Sequence, residues 1–223
     1  MIIRTLGRAD YQATWDAMRA FTDARRADTP DELWVCEHAP VYTQGVAGRA
    51  EHLLGNPHGI AVVQTDRGGQ ITYHGPGQTM VYVLLDLRRA GYGVRALVER
   101  IERGVSALLA GYGIDAHGRR DAPGVYVRRA QAASSTADGG FAGEAKIASL
   151  GLKVRNGCTY HGVAFNVDMD LAPFASINPC GYAGLAVTDL ATMTGGTPDF
   201  AAVSLALAQA LQASLSENSF APR

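Results

Sequence analysis

Short strand-like runs cover residues 33–37, 61–65, 79–85, 124–127, 147–154 and 161–167, and they come in clusters instead of alternating one for one with helices. A doubly wound parallel sheet needs that alternation, so the pattern predicts an α+β fold in which a mixed or antiparallel β-sheet is flanked by helices. Three helical segments frame the runs. Tyr11, Trp15, Met18 and Phe21 recur at helical spacing behind Asp10, a suitable N-cap, and Thr29-Pro30 closes that segment. Val94, Leu97, Val98, Ile101, Val105, Leu108 and Leu109 follow Gly93 and predict a second helix ending near Gly111 and Gly113. A third is predicted from Thr197 as N-cap with Pro198 as first residue; Phe200, Val203, Leu207, Leu211 and Leu215 share one face, which would pack as a terminal lid on the core. Residues 130–143 are rich in Ala, Ser and Gly without periodicity and read as a mobile surface loop. No repeat or sharp boundary interrupts the chain, so a single domain spanning 1–223 is expected.

Composition narrows the function classes. With 47% hydrophobic and 18% charged residues the chain has ample apolar surface to bury, which excludes intrinsic disorder. The 20 basic and 21 acidic side chains leave a net charge of -1, which argues against nucleic acid or an anionic membrane as partner. No apolar stretch reaches the roughly 18 residues of a membrane span, and Arg4, Arg8 and Asp10 interrupt the start before a signal-peptide apolar region could form. A cytoplasmic protein is therefore expected. Cys36, Cys158 and Cys180 are odd in number and lack metal-type spacing, so neither a disulfide framework nor a metal site is expected. Only Lys146 and Lys153 among the basic residues are lysines. Arginine cannot give up its proton at biological pH, so a position that requires an amine resists replacement by it. Both lysines are candidates for chemistry.

Three clusters stand out. The first is Arg67-Gly68-Gly69-Gln70-Ile71-Thr72-Tyr73-His74-Gly75-Pro76-Gly77-Gln78, either a backbone that a ligand or an oxyanion approaches closely or a pair of tight turns flanking a strand. It matches neither G-x-x-x-x-G-K-[S/T] nor G-x-G-x-x-G, so no nucleotide cofactor is expected. The second runs from Ala145 to Lys153, where Lys146 opens an apolar stretch. Pointing inward, its amine would be pushed toward the neutral form by burial; the alternative is a strand-end lysine snorkelling to solvent. The third, Ile177-Asn178-Pro179-Cys180-Gly181-Tyr182, places a thiol in a turn. Such a thiol is mostly protonated at neutral pH and needs a nearby base or cation, for which Lys146, His74 and His161 are the candidates. Cys36 and Cys158 read as buried or incidental thiols. His161 lies in a strand-like run that could aim it into a site or leave it hydrogen-bonded to backbone. The pairs Arg119-Arg120 and Arg128-Arg129 form either a docking patch for an acidic protein or an ordinary solvated face.

Taken in order, R-G-G-Q-I-T-Y-H-G-P-G-Q, K-I-A-S-L-G-L-K-V, H-G-V-A-F-N-V-D-M-D-L and I-N-P-C-G closely resemble the lipoate-protein ligase B family, the octanoyltransferases of lipoate biosynthesis, from about Leu33 to Leu190. The resemblance implies the fold of the biotin and lipoate protein ligase catalytic domains. It also implies transfer of an octanoyl or lipoyl group through a thioester on the cysteine matching Cys180, with the lysine matching Lys146 promoting ionisation of that thiol or serving as acid-base catalyst. The segments matching Arg67 to His74, Ser149-Leu150-Gly151 and Gly162-Val163-Ala164 would line the acyl substrate. Implied partners are octanoyl-acyl carrier protein as donor and, as acceptors, lipoyl domains of 2-oxoacid dehydrogenase subunits and the glycine-cleavage H protein. A monomer that works without a cofactor is expected.

Overall fold

The computed structural model describes residues 1–129, 140–141, 143–178, 181–182 and 184–217. Ten strands and five helices follow one another in the order β1 (Ile2–Ala9), α1 (Tyr11–Asp23), β2 (Glu32–His38), β3 (Val41–Gln44), β4 (Val62–Gln64), β5 (Ile71–His74), β6 (Gln78–Leu84), α2 (Leu87–Ala90), α3 (Val94–Ala110), β7 (Ala116–Gly118), β8 (Gly124–Arg128), β9 (Glu144–Arg155), β10 (Cys158–Asn166), α4 (Leu190–Thr194) and α5 (Phe200–Ser216). Seven of the strands form one mixed sheet in the order β1-β2-β6-β10-β9-β8-β7, in which β1 and β2 are parallel and every other pair antiparallel. The other three make a small sheet, β4-β3-β5, whose β3–β4 pair is parallel and β3–β5 pair antiparallel.

The period-2 pleat sorts side chains of the large sheet onto two faces. On one, Leu33, Val35, Val81, Val83, Val163 and Phe165 pack with Leu97, Ile101 and Val105 of α3 and Val203, Leu207 and Leu211 of α5. On the other, Trp34, Cys36, Met80, Tyr82, Tyr160 and Ala164 pack with Met18 of α1. Each fully buried large apolar side chain contributes about 1.5–3 kcal/mol, so the first face, backed by two 17-residue helices, is the larger part of the core. The helix caps follow side-chain chemistry. Asp10 caps α1 as predicted, its carboxylate accepting from Ala13 N–H at 2.8 Å. The last helix begins two residues later than Thr197-Pro198 suggested, because Asp199 accepts from the N–H groups of Ala201 and Ala202 and so supplies the cap itself.

Two surface expectations change. Of residues 130–143, 130–139 and 142 lie outside the described residues. Phe141 is buried against Tyr126 and Tyr182, with ring centroids 5.4 and 4.9 Å away, and the Arg119 guanidinium sits 4.1 Å above its ring. That end of the segment is an anchor, not a surface loop. Arg119 also pairs with Asp121 and Glu144, so it is tied into the fold and does not present itself to a partner, whereas Arg128 and Arg129 are exposed.

Candidate active site

The small sheet, the middle of β9 and the middle of β10 wall a cleft of about 550 Å³, part of it open to solvent. Arg67, Gly69, Gln70, Ile71, Thr72, His74, Lys146, Ser149, Leu150, Gly151, Gly162 and Ala164 all line it, joined by Tyr11, Met80, Tyr82 and His161. Three expected lining residues do not. Val163 alternates onto the opposite face and packs under α3 and α5. Tyr73 turns away to pack with Tyr42 and Phe174 at 5.6 and 5.5 Å. Gly68 donates its N–H to the Leu152 carbonyl at 2.8 Å and faces a neighbouring groove.

Lys146 points inward, the first of its two alternatives, and is only 2% exposed. Its Nζ donates to the Pro123 carbonyl at 3.1 Å and lies 5.3 Å from the centre of the Tyr126 ring. The same peptide unit carries the Gly124 N–H, which donates to Glu102 Oε1 of α3 at 3.1 Å. A carboxylate and an amine thus act on opposite ends of one peptide group and polarise it in the same sense. Gly124 is required here. Its φ is +151°, and a Cβ would fall 2.4 Å from Lys146 Cε.

Pro179 and Cys180 lie outside the described residues. Their sequence neighbours are anchored on both sides. Asn178 donates its N–H to the His52 carbonyl at 2.9 Å and accepts from Gly181 N–H at 3.0 Å, and His52 Nδ1 is 2.9 Å from Gln70 Oε1 on the cleft wall. Downstream, residues 186–188 run parallel beside Lys146, which donates its backbone N–H to Ala186 and accepts from Thr188 at 2.8 and 3.0 Å.

Beneath the cleft runs a buried polar network. The Arg67 guanidinium donates to the Thr43 hydroxyl and to the carbonyls of Thr43, Gly68 and Gln70, so it shapes the loop that the sequence suggested it would use to hold a ligand. The Thr43 hydroxyl, accepting from Arg67, donates to His74 Nε2 at 3.1 Å. His74 Nδ1–H in turn donates to Gln78 Oε1 at 2.7 Å, a tautomer fixed because Gln78 Nε2 donates to Asn166 Oδ1 at 2.9 Å. Burial pushes the His74 pKa down to about 3 against the upward pull of Gln78, with the Arg67 charge acting in the same direction as burial. His38 is likewise committed at both nitrogens, to the Ala9 carbonyl and to the Tyr82 hydroxyl, each at 2.7 Å, and burial lowers its pKa. Neither histidine can take a proton from a thiol without breaking this network.

His161 differs. Its Nε2–H donates to Asp66 Oδ1 at 2.9 Å, and Asp66 also accepts from Trp15 Nε1 at 3.0 Å and from the Tyr160 hydroxyl. Burial opposes ionisation of Asp66, but the hydrogen bonds from His161 and Tyr160 outweigh it and hold the carboxyl well below the usual carboxylate range. Burial lowers the His161 pKa, offset in part by the bond and charge of Asp66. Strand alternation would place His161 with Val163, under the helices. A φ of +60° turns it instead onto the cleft face beside Tyr160, at a cost of roughly 1–2 kcal/mol for a non-glycine residue.

Asp66, Glu102 and Tyr11 escaped the sequence reading as site residues. Asp66 adjoins the glycine cluster and could have been included in it, whereas Tyr11 was legible only as helix core and Glu102 only as one polar residue of α3. Among the described residues, no cluster of three His, Cys, Asp or Glu could hold a metal ion, and no helix is long and apolar enough to cross a membrane.

Comparison with known proteins bears on family and fold. The chain is 57% identical over 213 residues to an octanoyltransferase of Azotobacter vinelandii, covering 96% of this chain and 90% of that one. It is 60% identical over 195 residues to an octanoyltransferase of Saccharophagus degradans, covering 87% and 83%. Its fold superposes on lipoate-protein ligase A bound with ATP, with a TM-score of 0.69 at 17% identity over 96% of this chain and 86% of the other. A biotin protein ligase from Aquifex aeolicus in complex with biotin and ATP follows at a TM-score of 0.55 and 14% identity, over 96% and 69%. The helix-flanked mixed sheet expected from the sequence is therefore the ligase catalytic fold. With a family match running from residue 10 to residue 212, the chain belongs to the lipoyl protein ligase A/B catalytic domain family.

Proposed function

We propose that this chain is an octanoyltransferase, moving an octanoyl group from acyl carrier protein to a lysine of a lipoyl domain through a thioester on Cys180. The observation that carries this reading is the burial of Lys146, one of only two lysines, at the wall of a cleft to which Ile71, Met80, Leu150 and Ala164 contribute apolar side chains. That wall suits an apolar chain ending in a reactive carbonyl. The relatives at 57% and 60% identity carry the same activity in their names.

In the first half-reaction Lys146 promotes ionisation of Cys180. The thiolate attacks the carrier-bound thioester, a C–S bond forms to Cys180, and the carrier's phosphopantetheine sulfur leaves and takes up a proton. In the second, the lysine amine of the acceptor attacks acyl-Cys180, the amide forms and the thiol is regenerated. Exchange between thioesters is near thermoneutral and conversion of a thioester to an amide is downhill, so no nucleotide is consumed. The anchoring of Asn178 to His52 and of residues 186–188 to Lys146 supports a nucleophile at this cleft.

The test is intact-mass analysis after mixing the protein with octanoyl-acyl carrier protein alone. One octanoyl group should appear on Cys180, leave on addition of a lipoyl domain, and be absent from Cys180→Ser. An intact carrier thioester with no adduct, together with ATP-dependent exchange on lipoate, would replace this reading with that of a ligase.

A further inference from the structure

We infer that His161, oriented by Asp66, is the base that takes the proton from the attacking lysine amine in the second half-reaction; this rests on the octanoyltransferase reading. Three buried histidines surround the cleft floor, and two are fully committed. His38 bonds the Ala9 carbonyl and Tyr82, and His74 bonds Thr43 and Gln78. His161 alone among them lines the cleft with only Nε2 engaged, since no described residue hydrogen-bonds its Nδ1. Because the Asp66 carboxylate accepts from Nε2–H, the tautomer is set and the lone pair lies on Nδ1. Burial keeps the ring neutral, which is the form a base requires.

The arrangement is held from several directions. Asp66 is fixed by donors from α1 and β10, through Trp15 and Tyr160, before it meets His161. The left-handed backbone at His161 is an exception inside an otherwise regular strand, and its one evident effect is to carry the ring from the helix-covered face to the cleft. A residue serving only to fill the strand could have kept the ordinary conformation.

The proton balance is simple. As the amine nitrogen bonds to the acyl carbon, its proton passes to His161 Nδ1, and Asp66 stabilises the imidazolium. The C–S bond to Cys180 then breaks, and the departing sulfur recovers that proton to restore the thiol and the neutral ring. Lys146 remains with the sulfur. The two half-reactions thus draw on different groups.

Three variants test this in single-turnover mass spectrometry of each half-reaction. Asn tolerates a left-handed backbone and offers Asp66 an N–H, so His161→Asn should fold and slow transfer to the lipoyl domain roughly 10²–10³-fold more than it slows acylation of Cys180. Asp66→Asn, which offers Nε2 a donor and moves the ring proton to Nδ1, should give the same split. In His161→Gly, added imidazole should restore part of the transfer rate. Transfer at the wild-type rate in His161→Asn, or an equal loss in both half-reactions in folded variants, would overturn the assignment. Failure of the wild-type protein to form acyl-Cys180 would overturn the transferase reading and this assignment with it.

Discussion

Lowering the pH from 7.5 to 5 should destabilise the fold through His74 in particular. The ring is buried, neutral and hydrogen-bonded at both nitrogens, and its pKa is pushed down to about 3, against about 6.5 in an unfolded chain. The unfolded state therefore binds the proton first as pH falls. The stability His74 contributes is fully present above pH 6.5 and is lost progressively between there and pH 3. At pH 5 the unfolded chain lies 1.5 units below its pKa, so the loss is about 2 kcal/mol at 1.36 kcal/mol per unit. His38 and His161 add in the same direction, so the wild-type curve alone does not isolate one residue. The comparison is with His74→Asn, by urea unfolding followed through the fluorescence of Trp15 and Trp34. At pH 7.5 the variant should be less stable by roughly 1–3 kcal/mol, because Thr43 and Gln78 lose a buried partner. At pH 5 that gap should shrink by about 2 kcal/mol, since both proteins keep the other two histidines. A gap that does not change between the two pH values would refute the reasoning.

Two further predictions concern Glu102 and Gly77. Glu102→Gln keeps an acceptor for the Gly124 N–H but removes the charge behind it, and with it the polarisation of the peptide group whose carbonyl accepts from Lys146 Nζ. Single-turnover acylation of Cys180 should slow by at least about tenfold with the urea midpoint nearly unchanged, and an unaltered rate would remove Glu102 from the site. Gly77→Ala forces a side chain at φ +81° and sets its Cβ 1.8 Å from the Asp168 carbonyl oxygen, so stability should fall by at least about 2 kcal/mol in calorimetry.

The sequence revealed those parts of the fold whose signal is local. The α1 and α3 helices show in their 3.6-residue periodicity, and β6, β9 and β10 in long β-rich runs. By contrast β1, Ile-Ile-Arg-Thr-Leu-Gly-Arg-Ala, is a largely exposed edge strand whose pairing with β2 is decided by tertiary contact. Of the small sheet only β4 showed, in the run at 61–65, and the rest was hidden for another reason. Its four-residue strands β3 and β5 carry Thr43, Gln44, Thr72 and His74, of which Thr43 and His74 are buried bonded to each other and Gln44 bonded to Gln64, and β5 sits between glycines that read as turns. At the site, lysine scarcity marked both Lys146 and Lys153, and of the two only Lys146 is buried. Arg67 shows the limit of such reasoning, because nothing local distinguishes a guanidinium that meets a ligand from one that ties down its own loop. His161 could not be placed by alternation, since its backbone breaks the alternation.

The polar floor of the cleft is stitched from distant parts of the chain. Asp66 meets His161 across 95 positions and Gln78 meets Asn166 across 88. Contacts of such separation form late, after the entropic cost of closing long loops has been met. A nascent or partly refolded chain therefore has its helices before it has a pocket. Recovery of acylation after dilution from denaturant should accordingly lag the return of helical circular dichroism, making enzymatic competence a clock for the last step of folding.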